Sequence, residues 1–229
     1  MLRLEDIALT QDGFTLALNA EVPTGARLAL LGPSGSGKST LLALIAGFLA
    51  PDGGRICWEG RDITLAPVAD RPVSILFQDG NLFPHLSVFD NVALGVRPDL
   101  RLSPDDRRRV LESLEQVGLA GYGARRPAAL SGGQQARVAL ARMLLRDRPL
   151  ALLDEPFAAL DPGLRTEMLT LMRDLCAARG LTLIMACHDL RDAERLCDRL
   201  WLLEEGRLAL DIPMDSLRDV TPDALMAWR

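Results

Sequence analysis

The run Gly32-Pro33-Ser34-Gly35-Ser36-Gly37-Lys38-Ser39-Thr40 concentrates more chemistry than any other part of the chain. It fits G-x-x-x-x-G-K-[ST] and lies between an apolar run, Arg27–Leu31, and a helical pattern that starts near Lys38. Residues without a Cβ let backbone N–H groups wrap close to a phosphate, and the helix that follows adds its positive end. In that setting Lys38 reaches the β- and γ-phosphates of a nucleotide, and the Ser39 hydroxyl ligates Mg²⁺. The plain alternative is a functionless Gly/Ser loop. One count weighs against it: of 26 basic residues, Lys38 is the only lysine. Arginine replaces lysine freely on solvated surfaces, but not where a compact ammonium must fit a tight phosphate site.

A second cluster is Leu150-Ala-Leu-Leu-Asp154-Glu155, an apolar strand ending in two acids. Asp154 at the strand tip is placed to hold Mg²⁺ through water, and Glu155 to take a proton from an attacking water. Strand ends are often polar, so this signal carries weight only in combination. Leu130-Ser131-Gly132-Gly133-Gln134 opens another helical run, to about Arg146. Ser131 is a competent N-cap, and a helix N-terminus with exposed glycines is also an anion site; both readings hold at once.

That pentapeptide is the ABC signature, and over essentially its whole length the chain resembles the nucleotide-binding subunits of ABC transporters. Leu150–Glu155 then matches the Walker B strand. Gln78, after Val73–Phe77, matches the Q-loop, a ligand position for nucleotide and metal. Ala159-Leu160-Asp161 matches the D-loop, and His188, after Leu181–Ala186, the switch histidine. The resemblance implies ATP and Mg²⁺ as cofactors and two copies paired head to tail. Each ATP would lie between one copy's Gly32–Thr40 and the other's Ser131–Gln134. Glu155 would be the general base, with Lys38 and His188 stabilising charge on the γ-phosphoryl group. It also implies integral membrane permease subunits, a solute-binding protein reached indirectly, and a peripheral position on the cytoplasmic face of the bacterial inner membrane. Family members usually carry an adenine-stacking aromatic near position 11, where this chain has Gln11. Phe14 is the nearest substitute, and it reads equally as a core residue.

The elements that must position these residues are legible as an α/β pattern. Leu2–Leu9 and Phe14–Val22 alternate as antiparallel strands, with Pro23-Thr24-Gly25 as a turn. A helix from Lys38 to about Phe48 is stopped near Pro51–Gly54, and short strands follow at Arg55–Trp58 and Val73–Phe77. Residues 87–147 read as mostly helical. Ser103-Pro104-Asp105-Asp106 starts one helix, and Val110, Leu111, Leu114 and Val117 recur on one face of it. Strand Leu150–Leu153, helix Pro162–Arg179, strand Leu181–Ala186 and helix Leu190–Cys197 then alternate. Arg199–Leu203 and Arg207–Asp211 form a closing hairpin. Such alternation implies a parallel sheet covered on both faces. With the resemblance, the expected fold class is a P-loop ABC ATPase core with an antiparallel β subdomain and an inserted α-helical subdomain at about 87–147. The whole, 1–229, forms one domain.

Composition sets the outer bounds. At 229 residues, 48% hydrophobic and 25% charged, the chain suits a well-buried core. A net charge of −5 argues against a nucleic-acid partner. No run reaches the roughly 18–20 apolar residues of a membrane helix. The opening Met1-Leu-Arg-Leu-Glu-Asp has acids where a secretory signal needs an apolar stretch. Cys57, Cys176, Cys187 and Cys197 show no CxxC pairing, so reduced cytosolic thiols are expected.

The segment 81–91 follows the Q-loop, where the family receives a coupling helix of the membrane subunit. Leu82, Phe83 and Leu86 read either as that docking groove or as core. Arg71–Phe83, Ala46–Leu49 and Asp154–Phe157 look most like the ATPases of bacterial thiamine importers, and the short C-terminal tail agrees. Another small solute or an exporter is the alternative within the class. A DNA-repair or chromosome-organising ATPase would need a long coiled coil between Lys38 and Ser131, and there is no room for one. Ribosome-acting relatives usually fuse two heads, and this chain has one.

Overall fold

The computed structural model describes residues 1–77 and 81–219. In chain order the elements are β1 (Leu2–Gln11), β2 (Phe14–Val22), β3 (Arg27–Leu31), α1 (Lys38–Ala46), β4 (Gly53–Trp58), β5 (Arg61–Asp62) and β6 (Val73–Leu76). There follow α2 (Val88–Ala93), α3 (Pro104–Gln116), α4 (Gly132–Leu145), β7 (Leu150–Asp154), α5 (Pro162–Arg179), β8 (Thr182–Ala186), α6 (Leu190–Leu196), β9 (Arg199–Glu204) and β10 (Arg207–Pro213).

The strands form two sheets. One is antiparallel, β2-β1-β4-β5; the other runs β10-β9-β3-β8-β7-β6, parallel except for the β9–β10 hairpin. Successive side chains of a strand point to opposite faces, and the central strands send theirs into two separate cores. Leu28 and Leu30 of β3, and Leu150 and Leu152 of β7, join a core closed by α1 and the antiparallel sheet. Ala29, Leu31, Ala151 and Leu153 join the other, closed by α2 to α6. Both faces are dry, which is why these strands read as unbroken apolar runs.

Some boundaries differ from the sequence reading, for local reasons. Helix α1 ends at Ala46 rather than Phe48, because Gly47 turns left-handed (φ 87°) and its N–H reaches the carbonyls of Ala43 and Leu44. Leu111 is not on the buried face of α3: it is 56% exposed, while Val110, Leu114 and Val117 are buried. Positions 110, 114 and 117 share a stripe, and 111 lies about 100° from 110 around the helix.

Arg71, in the sequence one member of a family-like stretch, has a specific structural place. It is 2% exposed, and its guanidinium donates to the carbonyls of Leu44, Ile45, Thr64 and Ala66 at 2.7–3.0 Å. A fixed cation thus caps the C-terminal end of the helix that begins at Lys38. The Cβ of any residue larger than glycine at 47 would fall 2.5 Å from Arg71 Nε.

Candidate functional site

Strand register brings the chemistry to one edge of the large sheet. Leu30 of β3 pairs with Ala186 of β8, and Ala186 with Asp154 of β7. The ladder continues one step: Glu155 N–H donates to Ala186 O (3.1 Å) and Cys187 N–H to Leu30 O (3.2 Å). The loop after β3, the acids ending β7 and His188 beyond β8 therefore leave the sheet side by side, at the carboxyl ends of parallel strands. Glu155 sits in left-handed backbone (φ 48°), a conformation that is strained for a residue with a side chain.

These residues line a cavity of about 430 Å³. Ser34, Gly35, Gly37, Lys38, Ser39 and Thr40 form its floor, Glu155 and His188 one side, and Gln11, Asp12 and Phe14 of the β1–β2 hairpin the other. The loop is held tightly. A Cβ at Gly32 would lie 2.3 Å from Leu203 O, and one at Gly37 would lie 2.7 Å from the Phe14 ring. Gly206, in the β9–β10 turn, donates to Ser36 O (3.1 Å) and accepts from Ala17 N–H (2.8 Å). Ser36 itself is buried, and its Oγ has no partner among the described residues.

The charges are crowded and partly desolvated. Lys38 is 6% exposed, and its ammonium donates to the carbonyls of Gly32 (2.7 Å) and Pro33 (3.1 Å). Burial lowers its pKa, opposed by Glu155 and Asp154. Ser39 Oγ donates to Asp154 Oδ1 at 3.1 Å. Burial raises the Asp154 pKa, Ser39 offsets part of this, and the neighbouring Glu155 carboxylate adds to the rise. His188 Nε2 contacts Glu155 Oε2 directly. A hydroxyl and a carboxylate oxygen meeting at one point form the donor set a hard cation such as Mg²⁺ takes, and a second positive charge there would relieve the buried acid.

Phe14 is both a core residue and part of the cavity wall. It is half-buried and packs on the α1-side core, while its ring edge abuts Gly37 and lines the cavity. Gln11 and Asp12 complete that wall, and nothing in the residue pattern singles out Asp12.

The remaining candidates are placed elsewhere. Ser131 caps α4 in a reciprocal box with Gln134: Gln134 N–H donates to Ser131 Oγ (3.3 Å) and Ser131 N–H to Gln134 Oε1 (3.1 Å). A Cβ at Gly133 would meet Leu164 of α5 at 2.0 Å, and one at Gly132 would meet nothing within 4 Å. Neither glycine, nor Ser131 or Gln134, lines the Lys38 cavity. Asp161 caps α5 by accepting from Leu164 N–H at 3.0 Å. Gln78 lies outside the described residues.

The sequence profile of the ABC transporter family matches residues 16–158. This chain belongs to the ABC transporter family. It is one of the family's ATPases, whose hydrolysis of ATP is coupled to transport. A thiamine import ATP-binding protein of Jannaschia sp. (strain CCS1) is 63% identical to it, with all of both chains covered. One from Cereibacter sphaeroides is 52% identical over 100% of this chain and 99% of that one. Among solved structures, a dimeric bacterial ABC transporter cassette superposes with a TM-score of 0.81 at 29% identity, covering 93% of this chain and 99% of that one. A dimeric post-hydrolysis cassette bound to ADP and Pi gives 0.80 at the same identity and coverage.

Proposed function

We propose that this chain drives thiamine import, as a pair of copies on the cytoplasmic face of the inner membrane beneath a separate permease fed by a solute-binding protein. The reading of the chemistry rests on one observation above all, the convergence of Lys38, Ser39, Asp154, Glu155 and His188 at the ends of three adjacent strands. Loop N–H groups and the end of α1 bind the triphosphate of ATP, and Lys38 turns from its carbonyls to the β- and γ-phosphates. Ser39 and Asp154 would hold Mg²⁺, with Gln78 as a further ligand. The ion supplies positive charge against the phosphate oxygens. Glu155 accepts the proton of the attacking water, and His188 orients Glu155 and steadies the γ-phosphoryl group.

The Ser131–Gln134 end, remote from this cavity, closes over the ATP of the second copy, with Asp161 at the same interface. Closure excludes water and aligns the reactants. Among the described residues no helix is long and apolar enough to cross a membrane, which agrees with a separate permease. Phe83, 44% exposed, supports docking of that partner. Its loop is fixed by buried Asn91, which bonds both the N–H and the carbonyl of Phe83. Thiamine as cargo is supported by the two import relatives that match over nearly their full length.

The test is uptake of labelled thiamine by cells lacking this chain, re-supplied with wild type or Glu155→Gln. Rescue by wild type alone supports cargo, direction and the need for hydrolysis. Uptake that does not depend on the chain removes thiamine as its required cargo.

A further inference from the structure

Behind the Glu155–His188 contact lies a second cavity, of about 220 Å³, with Phe157, Leu169 and Met185 on its apolar side and Arg165 and Asp192 on its polar side. Arg165 projects from the first turns of α5 and bridges the two segments that carry the pair. One guanidinium nitrogen donates to Ala158 O at 2.9 Å; another stands 3.6 Å from Asp192 Oδ2. Ala158 lies three residues beyond Glu155, and its own N–H donates to Glu155 O at 3.3 Å. Asp192 lies four residues beyond His188, in the first turn of α6, and its N–H donates to Asp189 O at 3.2 Å. One side chain therefore ties the turn that leaves Glu155 to the helix that follows His188.

This arrangement is poorly suited to stability alone. Arg165 Nε is buried without a partner among the described residues, and both members of the ion pair are mostly buried. An apolar pair in the same place would avoid both desolvation costs. A planar guanidinium that donates to one carbonyl and faces a carboxylate with another nitrogen does, however, define a relative geometry, which a single ammonium cannot do.

We propose that Arg165 is a positioning residue for ATP hydrolysis, acting through Ala158 and Asp192 to hold Glu155 and His188 in their productive relation. The proposal rests on the catalytic reading of that pair. The experiment measures kcat and KM for ATP in the full chain carrying Arg165→Ala, Arg165→Lys or Asp192→Asn, and repeats Arg165→Ala in a His188→Ala background, with thermal midpoints alongside. Arg165→Ala lowers kcat about 10- to 100-fold with KM nearly unchanged, because small misplacements of reacting groups cost that much. Arg165→Lys, which keeps the charge and guards against loss of fold, lowers it about 10-fold. Adding Arg165→Ala to His188→Ala produces little further loss. Wild-type kcat in Arg165→Ala, or losses that multiply in the combined variant, would overturn the proposal. Failure of the underlying reading looks different: Glu155→Gln would itself keep wild-type turnover, and the proposal would fall with it.

Discussion

Two helix N-termini in this molecule carry glycines and a hydroxyl residue, and they are finished in different ways. At the start of α1, the loop is walled by β2, β9 and Phe14, its lysine is buried, and two acids and a histidine arrive from neighbouring strands. At the start of α4, Ser131 and Gln134 satisfy each other, Gly133 is pressed against Leu164, and Gly132 faces open space. The first end gathers its charged groups within one chain. The second has a shaped surface and no reacting group of its own. The contrast fits the proposed pairing, in which each chain gives the Lys38 part of one ATP site and the Ser131–Gln134 part of another.

Perturbing each end separately sharpens the contrast, and the largest effect belongs to the acid. Glu155→Gln keeps ATP binding, measured with a fluorescent nucleotide, and slows steady-state hydrolysis about 10²–10⁴-fold. At the other end, Gly133→Ala forces a methyl into Leu164 and tilts the tip of α4. Hydrolysis then falls about 10²-fold, while nucleotide affinity of the single chain stays near wild type. Equal damage to affinity from Gly133→Ala would break the division between the ends.

Smaller effects probe the first end alone. Phe14→Ala removes the only aromatic on the described wall of the cavity and weakens ATP roughly 5- to 150-fold, read by the same titration. Asp154→Asn acts oppositely on stability. Because the folded pKa of Asp154 is raised, the folded state holds that proton more tightly than the unfolded chain does. Acidification through the range between the two values stabilises the nucleotide-free fold, and at neutral pH the ionised acid costs stability. Asp154→Asn therefore raises the melting temperature of nucleotide-free protein measured at neutral pH, and removes most of its pH dependence on mild acidification.

Much of this was legible in the sequence, and what was not has identifiable causes. The loop and Lys38 are local in sequence, so pattern and context were enough. The order of strands and helices followed from unbroken apolar runs and capping residues such as Ser103 and Ser131. Contacts between distant segments left no such trace. Gly206 looks like any hairpin glycine until its N–H is seen on Ser36 O, and Arg71 looks solvated until its four carbonyls are found. Arg165 reads as one more polar residue of an amphipathic helix. Leu111 shares the apolar type of Val110 and Leu114 but not their angle around α3, and type alone does not carry that angle. Asn91 gave no cue at all, because a buried amide serving a loop has no periodicity.

The most direct test of the two-ended account is the mass of the Glu155→Gln chain by sedimentation, with and without saturating ATP. The account predicts one chain without nucleotide, two with ATP, and a return to one when Gly133→Ala is added although ATP still binds. A doubled mass that Gly133→Ala leaves intact, or ATP bound at saturation with the mass of a single chain, would contradict it.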